Sequence, residues 1–224
     1  MRQTAVKKLS FIVLAVCFAV FGTLWCVREL VLRDWLLSNF GETGQELIGE
    51  TLKVIIWTCP AIYLIARYKD AMLIGLREMF LTRVKWLRFL PVFAVFALYI
   101  IVGAYLHNGE IKIHPNFKPL SLVGAVLFVG ITEEVVFRGF LLNALLKKTN
   151  QWAAISVTAL LFLVIHFPIW ISTGVFAETI LSGGFVSIIA LSVVFSWAFI
   201  KSKSLAVPIL LHMFWNLNVC LFFG

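Results

Sequence analysis

The sequence predicts an all-α membrane protein: a bundle of about seven transmembrane helices with one short amphipathic helix at the membrane surface. Hydrophobic residues make up 62% of the 224 residues, whereas charged residues make up only 13%. An ordinary soluble domain has about 25% charged residues. The mean hydropathy is +1.00, and apolar runs long enough to cross a bilayer recur along the chain. These observations exclude a soluble globule, a disordered chain and a disulfide scaffold.

Seven apolar runs are the candidate spans, each close to the length that a transmembrane helix needs. They cover residues 9–27, 47–66, 87–106, 120–146, 152–171, 185–200 and 205–223. Between the second and third runs, apolar residues recur at helical spacing among basic ones, which predicts an amphipathic interfacial helix over residues 71–86. We divide the chain into an N-terminal membrane segment, residues 1–119, and a second helix bundle, residues 120–224.

The basic residues orient these spans. With the N-terminus in the cytoplasm, 13 Lys and Arg residues fall in cytoplasmic segments and 4 fall outside, among them Arg28. This bias follows the positive-inside rule, so we assign the net charge of +8 to cytoplasmic loops rather than to nucleic-acid binding. Lys53 stands near the outer end of the second span, where we expect it to snorkel to the interface. Trp25 also lies near a span end and is expected in the interfacial aromatic belt.

Three ionisable residues lie deep in the fourth span, namely Glu133, Glu134 and Arg138. Burying isolated charges in hydrocarbon costs at least about 2.5 kcal/mol each, so these groups must face one another, water or a partner helix. Glu134 and Arg138 are four residues apart, on one helix face, and are expected to pair. Glu133 is rotated by about 100° from that face and is left for another role, such as that of a general acid or base.

Two further spans carry polar groups at similar depth. His166 lies in the fifth span, and His212 and Asn216 share one face of the seventh. The clustering of a Glu pair, an Arg, two His and an Asn on three helices predicts one shared functional site. We expect Glu133, His166, His212 and Asn216 to converge on a single cavity inside the bundle.

Two chemistries suit this set of residues. Glu133 with His166 could hold and deprotonate a water, while His212 with Asn216 donates hydrogen bonds to the oxyanion formed at a carbonyl. Alternatively, Glu133 or Glu134 with His166 and His212 could bind a divalent metal with an open water position. Both alternatives lead to amide hydrolysis, and a site within the bilayer implies a substrate that is itself lipidated or membrane-bound.

The three motifs Glu133-Glu134-x-x-x-Arg138, Phe162-x-x-x-His166 and His212-x-x-x-Asn216 resemble those of one known family. This is the CaaX protease and bacteriocin-processing family (CPBP, or Abi) of intramembrane proteases. The order of the motifs and their placement on three spans also match. The resemblance covers about residues 120–222, and no motif position departs from it.

The resemblance implies a role for each of these residues. Glu133 would be the activating carboxylate, and His166 would hold the water with it. His212 and Asn216 would form the oxyanion hole, and Glu134 with Arg138 would be a supporting pair. Residues 120–224 would then be the catalytic bundle.

The family is described both as glutamate proteases and as metalloproteases. We favour the metal-free mechanism, with no cofactor, because Asn216 suits an oxyanion better than a metal and no compact zinc motif is present. If zinc is bound, its ligands would be Glu133, His166 and His212.

The expected partners are membrane lipids and a membrane-bound or lipidated peptide or protein, in what we expect to be a bacterial plasma membrane. Two other functions remain open at this level: a non-enzymatic bacteriocin-immunity or scaffold protein, and a proton-coupled carrier. Intramembrane Glu, Arg and His also build proton relays, although the inverted repeats common in carriers are missing from the sequence.

Overall fold

The computed structural model describes residues 9–223, and all regular structure in that range is helical. The all-α class predicted from composition is therefore confirmed. The helices are α1 (Phe11–Val27), α2 (Arg33–Lys53), α3 (Cys59–Arg67), α4 (Leu76–Leu81), α5 (Leu90–Asn108), α6 (Val129–Glu134), α7 (Asn143–Leu146), α8 (Gln151–Val164), α9 (Phe167–Ser172), α10 (Phe176–Leu181), α11 (Gly184–Ser202) and α12 (Ala206–Phe223).

Wider turns, of the π-helical type, join several of these helices into longer runs. They cover Arg28–Leu32, Val54–Thr58, Val123–Phe128 and Val135–Leu142. Short 3₁₀ turns lie at Lys69–Ala71, Trp86–Arg88 and Pro119–Leu122. The π-helical turns, unlike the 3₁₀ turns, are common at functional sites, because they redirect side chains relative to a regular helix.

Six of the described helical runs are long and apolar enough to cross a membrane. They are Phe11–Arg67, Leu90–Asn108, Pro119–Leu146, Gln151–Ser172, Gly184–Ser202 and Ala206–Phe223. The protein is therefore an integral membrane protein. The basic residues Arg2, Lys7 and Lys8, which contribute to the predicted orientation, lie outside the described residues.

The first run contains both of the first two predicted spans. Its 57 residues would be far longer than the bilayer if they were straight. Instead the helix breaks at Gly41, whose φ of +67° is left-handed backbone that glycine adopts readily. After this break the chain reverses and packs against its first part. The contact is shown by the Trp57 indole, which donates a hydrogen bond of 2.9 Å to the carbonyl of Phe21. The run is thus a helical hairpin rather than one long span.

The interfacial helix is shorter than residues 71–86, the predicted range, and covers only Leu76–Leu81. The side-chain amide of Asn143 explains the late start, because it accepts from the Ile74 amide and donates to the Ile74 carbonyl, both at 2.8 Å. These two bonds hold the backbone at Ile74 outside the helix. Met79 is completely buried while Phe80 and Leu81 are exposed, so the segment packs on one side only.

The most buried part of the fold is the middle of the run Pro119–Leu146, where every residue from 132 to 145 is buried. A helix that is buried on all sides lies at the centre of its bundle. The hairpin, α8, α11 and α12 surround it. The fourth predicted span is therefore the central helix, and it carries both carboxylates of the candidate site.

Candidate active site

Glu134 and Arg138 form the most deeply buried ion pair of the described chain. The Arg138 Nη1 lies 2.9 Å from Glu134 Oε1, and both side chains are fully shielded from solvent. The other guanidinium nitrogen, Nη2, donates to the hydroxyl of Ser192 at 2.8 Å and to its carbonyl at 3.1 Å. This is the pairing predicted from their spacing of four residues. The pair fixes the central helix against α11.

His212 meets both carboxylates of the central helix. Its Nδ1 lies 2.8 Å from Glu134 Oε1, and its Nε2 lies 4.0 Å from Glu133 Oε2. The imidazole stacks on Phe195, with ring centroids 5.0 Å apart. Because a carboxylate accepts only, the Nδ1 of His212 donates to Glu134, and this bond sets the direction of the ring.

A glycine lets α12 approach the central helix closely enough for these contacts. A Cβ atom at Gly130 would come within 2.6 Å of the Met213 Cγ and within 3.6 Å of the Ile209 carbonyl. Gly130 lies one helical turn before Glu134, and Met213 directly follows His212. The missing side chain therefore brings the two helices together where His212 meets the carboxylates.

His166 lies at the break between α8 and α9. Pro168 has no amide hydrogen, so α8 cannot continue through it, and a new helix begins at Phe167. The imidazole Nδ1 lies 2.7 Å from the Phe162 carbonyl, which can only accept. His166 and Glu133 both line a cavity of about 150 Å³.

Asn216 lies one turn beyond His212 on α12, but its side chain is engaged elsewhere. The amide Nδ2 donates a hydrogen bond of 2.8 Å to the carbonyl of Ala125, on the central run. His212 and Asn216 are also not among the residues that line the cavity shared by Glu133 and His166. The structure thus brings Glu133, Glu134, Arg138 and His212 into one network, places His166 beside Glu133, and leaves Asn216 bonded away from them.

Four charged residues of the N-terminal hairpin are also buried at this site. They are Arg28, Glu29, Glu50 and Lys53. The prediction that Lys53 snorkels to the interface is wrong, because its side chain is buried and its Nζ lies 2.7 Å from Glu133 Oε1. Arg28, which the predicted orientation places in an outer segment, is buried as well and lies against Glu29 and Glu50.

Trp25 connects the hairpin to the same site, and its predicted place in the interfacial belt is wrong. Its ring is only 4% exposed and lies under the Lys53 ammonium, which is 4.6 Å from the ring centroid. Its indole nitrogen donates a hydrogen bond of 2.7 Å to the carbonyl of Ile165, the residue before His166.

The sequence does contain a signal that the N-terminal hairpin contributes charges to the site. Glu50 and Lys53 are three residues apart on one helix face, inside an apolar run that should exclude charge. Two charges on one face of a span need a partner inside the bundle, and Glu133 was the carboxylate left without one.

The contact between Lys53 and Glu133 also decides whether the alternative ligand set could hold a metal. Within residues 9–223, no group of three His, Cys, Asp or Glu side chains is arranged to hold a metal ion. The ammonium of Lys53 takes one oxygen of Glu133, and a cation is a poor neighbour for a second cation. Glu133, His166 and His212 therefore do not fit a metal in this arrangement.

The fold and the site together define a class: an integral membrane protein in which carboxylates, imidazoles and their counter-charges meet inside a helical bundle. Residues 115–218 match a family model described as type II CAAX prenyl endopeptidase, Rce1-like. The match confirms the resemblance to the CaaX protease family and supports a protease. Neither a curated protein nor a solved structure matches the chain significantly.

Proposed function

We propose that this protein is an intramembrane endopeptidase that hydrolyses a peptide bond of a membrane-associated or lipidated protein. One observation carries the proposal. Glu133 Oε2 is buried without a hydrogen-bond partner, 4.0 Å from His212 Nε2, on a carboxylate that lines a cavity together with His166. A buried carboxylate oxygen with an open lone pair suits a general base for water.

Glu133 and His166 are proposed to hold the attacking water. Because the Nδ1 of His166 donates to the Phe162 carbonyl, the Nε2 of the neutral ring is left as an acceptor. The water gives one proton to Glu133 Oε2 while its oxygen bonds to the carbonyl carbon of the substrate. The tetrahedral oxyanion then collapses, the C–N bond breaks, and Glu133 returns the proton to the leaving nitrogen.

His212 is proposed to stabilise the oxyanion. The buried charged side chains of the described chain are three cations and four carboxylates, namely Arg28, Lys53 and Arg138 against Glu29, Glu50, Glu133 and Glu134. These charges leave one carboxylate in excess, and both ring nitrogens of His212 face a carboxylate. Its Nε2 hydrogen can then be donated to the oxyanion, while Glu134 holds the ring in place.

Asn216 is proposed as the second donor to the oxyanion. For this role its amide must exchange the Ala125 carbonyl, its partner at 2.8 Å, for the substrate. Apo sites often hold such groups in contacts that change when substrate binds. We therefore expect the helix turn around Ala125 to move when substrate enters.

The substrate is proposed from the surroundings of the site. The matched family is described as acting on prenylated proteins, and a cavity inside a membrane bundle favours peptides already held at the bilayer. With the N-terminus in the cytoplasm of a bacterial plasma membrane, the end of α1 and the end of α8 both point outward. In that orientation the cavity lies in the outer half of the bilayer, lined by Trp25 and His166.

Peptide cleavage by the reconstituted protein tests the proposal. The purified protein in liposomes is given a prenylated peptide, the same peptide without its prenyl group, and a transmembrane peptide, and products are identified by mass spectrometry. Glu133→Gln and His166→Ala should each reduce cleavage by about 10³-fold or more, because general acid–base catalysis contributes about 10²–10⁴-fold. Glu110→Gln and His107→Ala, two exposed positions, are the matched controls.

Three results would overturn the proposal or a part of it. Cleavage at the wild-type rate by both Glu133→Gln and His166→Ala would refute the assignment of the base. Loss of wild-type activity in a chelator, with recovery on adding zinc, would refute the metal-free mechanism. A protein that cleaves none of the peptides but carries protons across the liposome would be a carrier instead.

A further inference from the structure

Lys53 comes from outside the region that matches the family, yet it contacts the proposed base. It ends α2, and its side chain is 1% exposed. The ammonium lies 2.7 Å from Glu133 Oε1 and sits over two indole rings, 4.6 Å from the centroid of Trp25 and 5.4 Å from that of Trp57. Two aromatic faces and one carboxylate thus determine where the ammonium lies.

The two oxygens of Glu133 have different surroundings because of this contact. Oε1 accepts from Lys53, while Oε2 has no hydrogen-bond partner and faces His212. A carboxylate on a long side chain can rotate about its last bond and exchange its oxygens. Exchange of the two equivalent oxygens changes nothing by itself, but a partial rotation would turn both of them away from the substrate. An ammonium fixed on one side holds the plane of the carboxylate, with the other oxygen facing His212.

We propose that Lys53 is a positioning residue for the hydrolysis proposed above: it holds Glu133 through Oε1 so that Oε2 faces the water and the substrate carbonyl. The inference rests on the proposed function. It also gives the N-terminal hairpin a part in the reaction, because Trp25 holds the ammonium of Lys53 and at the same time binds the Ile165 carbonyl beside His166. Lys53 does not touch the reacting atoms.

Three substitutions at this position separate positioning from packing. Lys53→Met keeps most of the apolar stem without the charge, Lys53→Arg keeps a cation, and Lys53→Ala leaves space for a small amine. In the liposome assay we expect Lys53→Met to lower kcat by about 10²-fold with little change in KM, because misplacing a reacting group costs about that much. We expect Lys53→Arg to retain a measurable fraction of the wild-type kcat.

Chemical rescue supplies a readout that a merely structural lysine would not move. Ethylamine added to Lys53→Ala should raise kcat in a saturable manner, since its ammonium can occupy the space beside Glu133. Ethanol at the same concentrations should have no effect. Lys112→Met, which removes an exposed lysine paired with Glu110, is the matched control and should cleave at the wild-type rate.

A double-mutant cycle keeps the proposal testable if Lys53→Met is poorly folded. Thermal unfolding of Lys53→Met, Glu133→Gln and the double variant reports whether the two side chains are coupled. We expect the double variant to unfold at a higher temperature than Lys53→Met, because it leaves no unpaired carboxylate. Additive changes would overturn the contact itself.

The assay also separates failure of this inference from failure of the proposed function. If wild-type protein cleaves a peptide and folded Lys53→Met does so with an unchanged kcat, Lys53 has no positioning role. Absence of rescue at Lys53→Ala, despite a coupled pair in the cycle, would mean that Lys53 serves folding alone. If wild-type protein cleaves none of the peptides, the endopeptidase proposal falls, and this role of Lys53 falls with it.

Discussion

The two halves of the chain contribute buried charges to the same site in different ways. In the matched region, residues 115–218, Glu134 and Arg138 are four residues apart in the middle of a span, so their pairing is local. In the N-terminal hairpin, Lys53 finds its carboxylate 80 residues away along the chain. Local pairs can be recognised from spacing, whereas a partner on another helix depends on how the helices pack.

The buried ion pair of the central helix and that of the hairpin also differ in how much of their side chains is exposed. The Glu134–Arg138 pair has no exposed surface, and its guanidinium is bonded further to Ser192. Arg28 and Glu50 lie 3.5 Å apart with 6% and 10% of their side chains exposed, and both line the cavity. The first pair therefore fixes the central helix to α11, while the second borders the cavity.

The largest expected effect on stability is at the Glu134–Arg138 pair, which has no exposed surface. Arg138→Met leaves Glu134 buried without its cation, which should lower the free energy of unfolding by about 3–5 kcal/mol. Glu50→Gln removes a carboxylate that lines the cavity and leaves Arg28 paired with Glu29, so it should cost only about 1–3 kcal/mol. Both values can be measured by SDS-induced unfolding in mixed micelles, followed by tryptophan fluorescence.

Arg138→Lys is the control for charge at the central position. It keeps a cation but cannot reach Glu134 and Ser192 together in the forked geometry of a guanidinium, so we expect a loss between those of wild type and Arg138→Met. Equal losses for Arg138→Met and Glu50→Gln would show that the two groups of charges are equally shielded from water. The proposed difference between the two halves would then be wrong.

Sequence reasoning predicted the matched half better than the hairpin, and the reason is physical. The all-helical fold follows from apolar runs, and the pairing of Glu134 with Arg138 follows from helical geometry alone. Lys53 and Trp25 stand near span ends, where a lysine ordinarily snorkels and a tryptophan ordinarily lies at the interface. The second arm of the hairpin, after Gly41, packs against the first arm, and this packing decides which of these residues turn inward. The local sequence does not predict how the two arms pack.

The short interfacial helix illustrates the same limit. Its apolar spacing predicts residues 71–86, but the helix covers only Leu76–Leu81. The competing interaction is the amide of Asn143, which binds both backbone groups of Ile74 from the central helix. Helical periodicity reports what a segment prefers by itself, and a long-range pair of hydrogen bonds overrides that preference.

A smaller effect distinguishes two tryptophans that each donate one indole hydrogen bond. Trp25 donates to Ile165, between the two halves, while Trp57 donates to Phe21, within the hairpin. Replacing either with Phe should lower the free energy of unfolding by about 1–2 kcal/mol, since a buried carbonyl loses its donor. Phe keeps an aromatic face for the Lys53 ammonium at either position, so only Trp25→Phe should also reduce peptide cleavage, by about 10-fold, because Ile165 directly precedes His166.

Parallel unfolding and cleavage measurements on the two variants decide this point. Trp57→Phe serves as the control, since it loses the same type of bond at a similar length, 2.9 Å against 2.7 Å. If both variants cleave equally well, the bond to Ile165 does not help to place His166, and the hairpin supports the site through Lys53 alone.

The smallest expected effect concerns a second ion pair that joins the two regions within residues 9–223. Lys118 Nζ lies 2.5 Å from Glu42 Oε2, a separation close to the 2.7 Å between Lys53 and Glu133. Its side chains are 63% and 72% exposed, however, against 2% and 6% for the buried pair. A double-mutant cycle of Glu42→Gln and Lys118→Met should give a coupling below about 0.5 kcal/mol, because water and salt screen exposed charges. A coupling as large as that of Lys53 with Glu133 would show that distance rather than burial sets the strength of these ion pairs. Burial would then give no reason to treat Lys53 differently from Lys118.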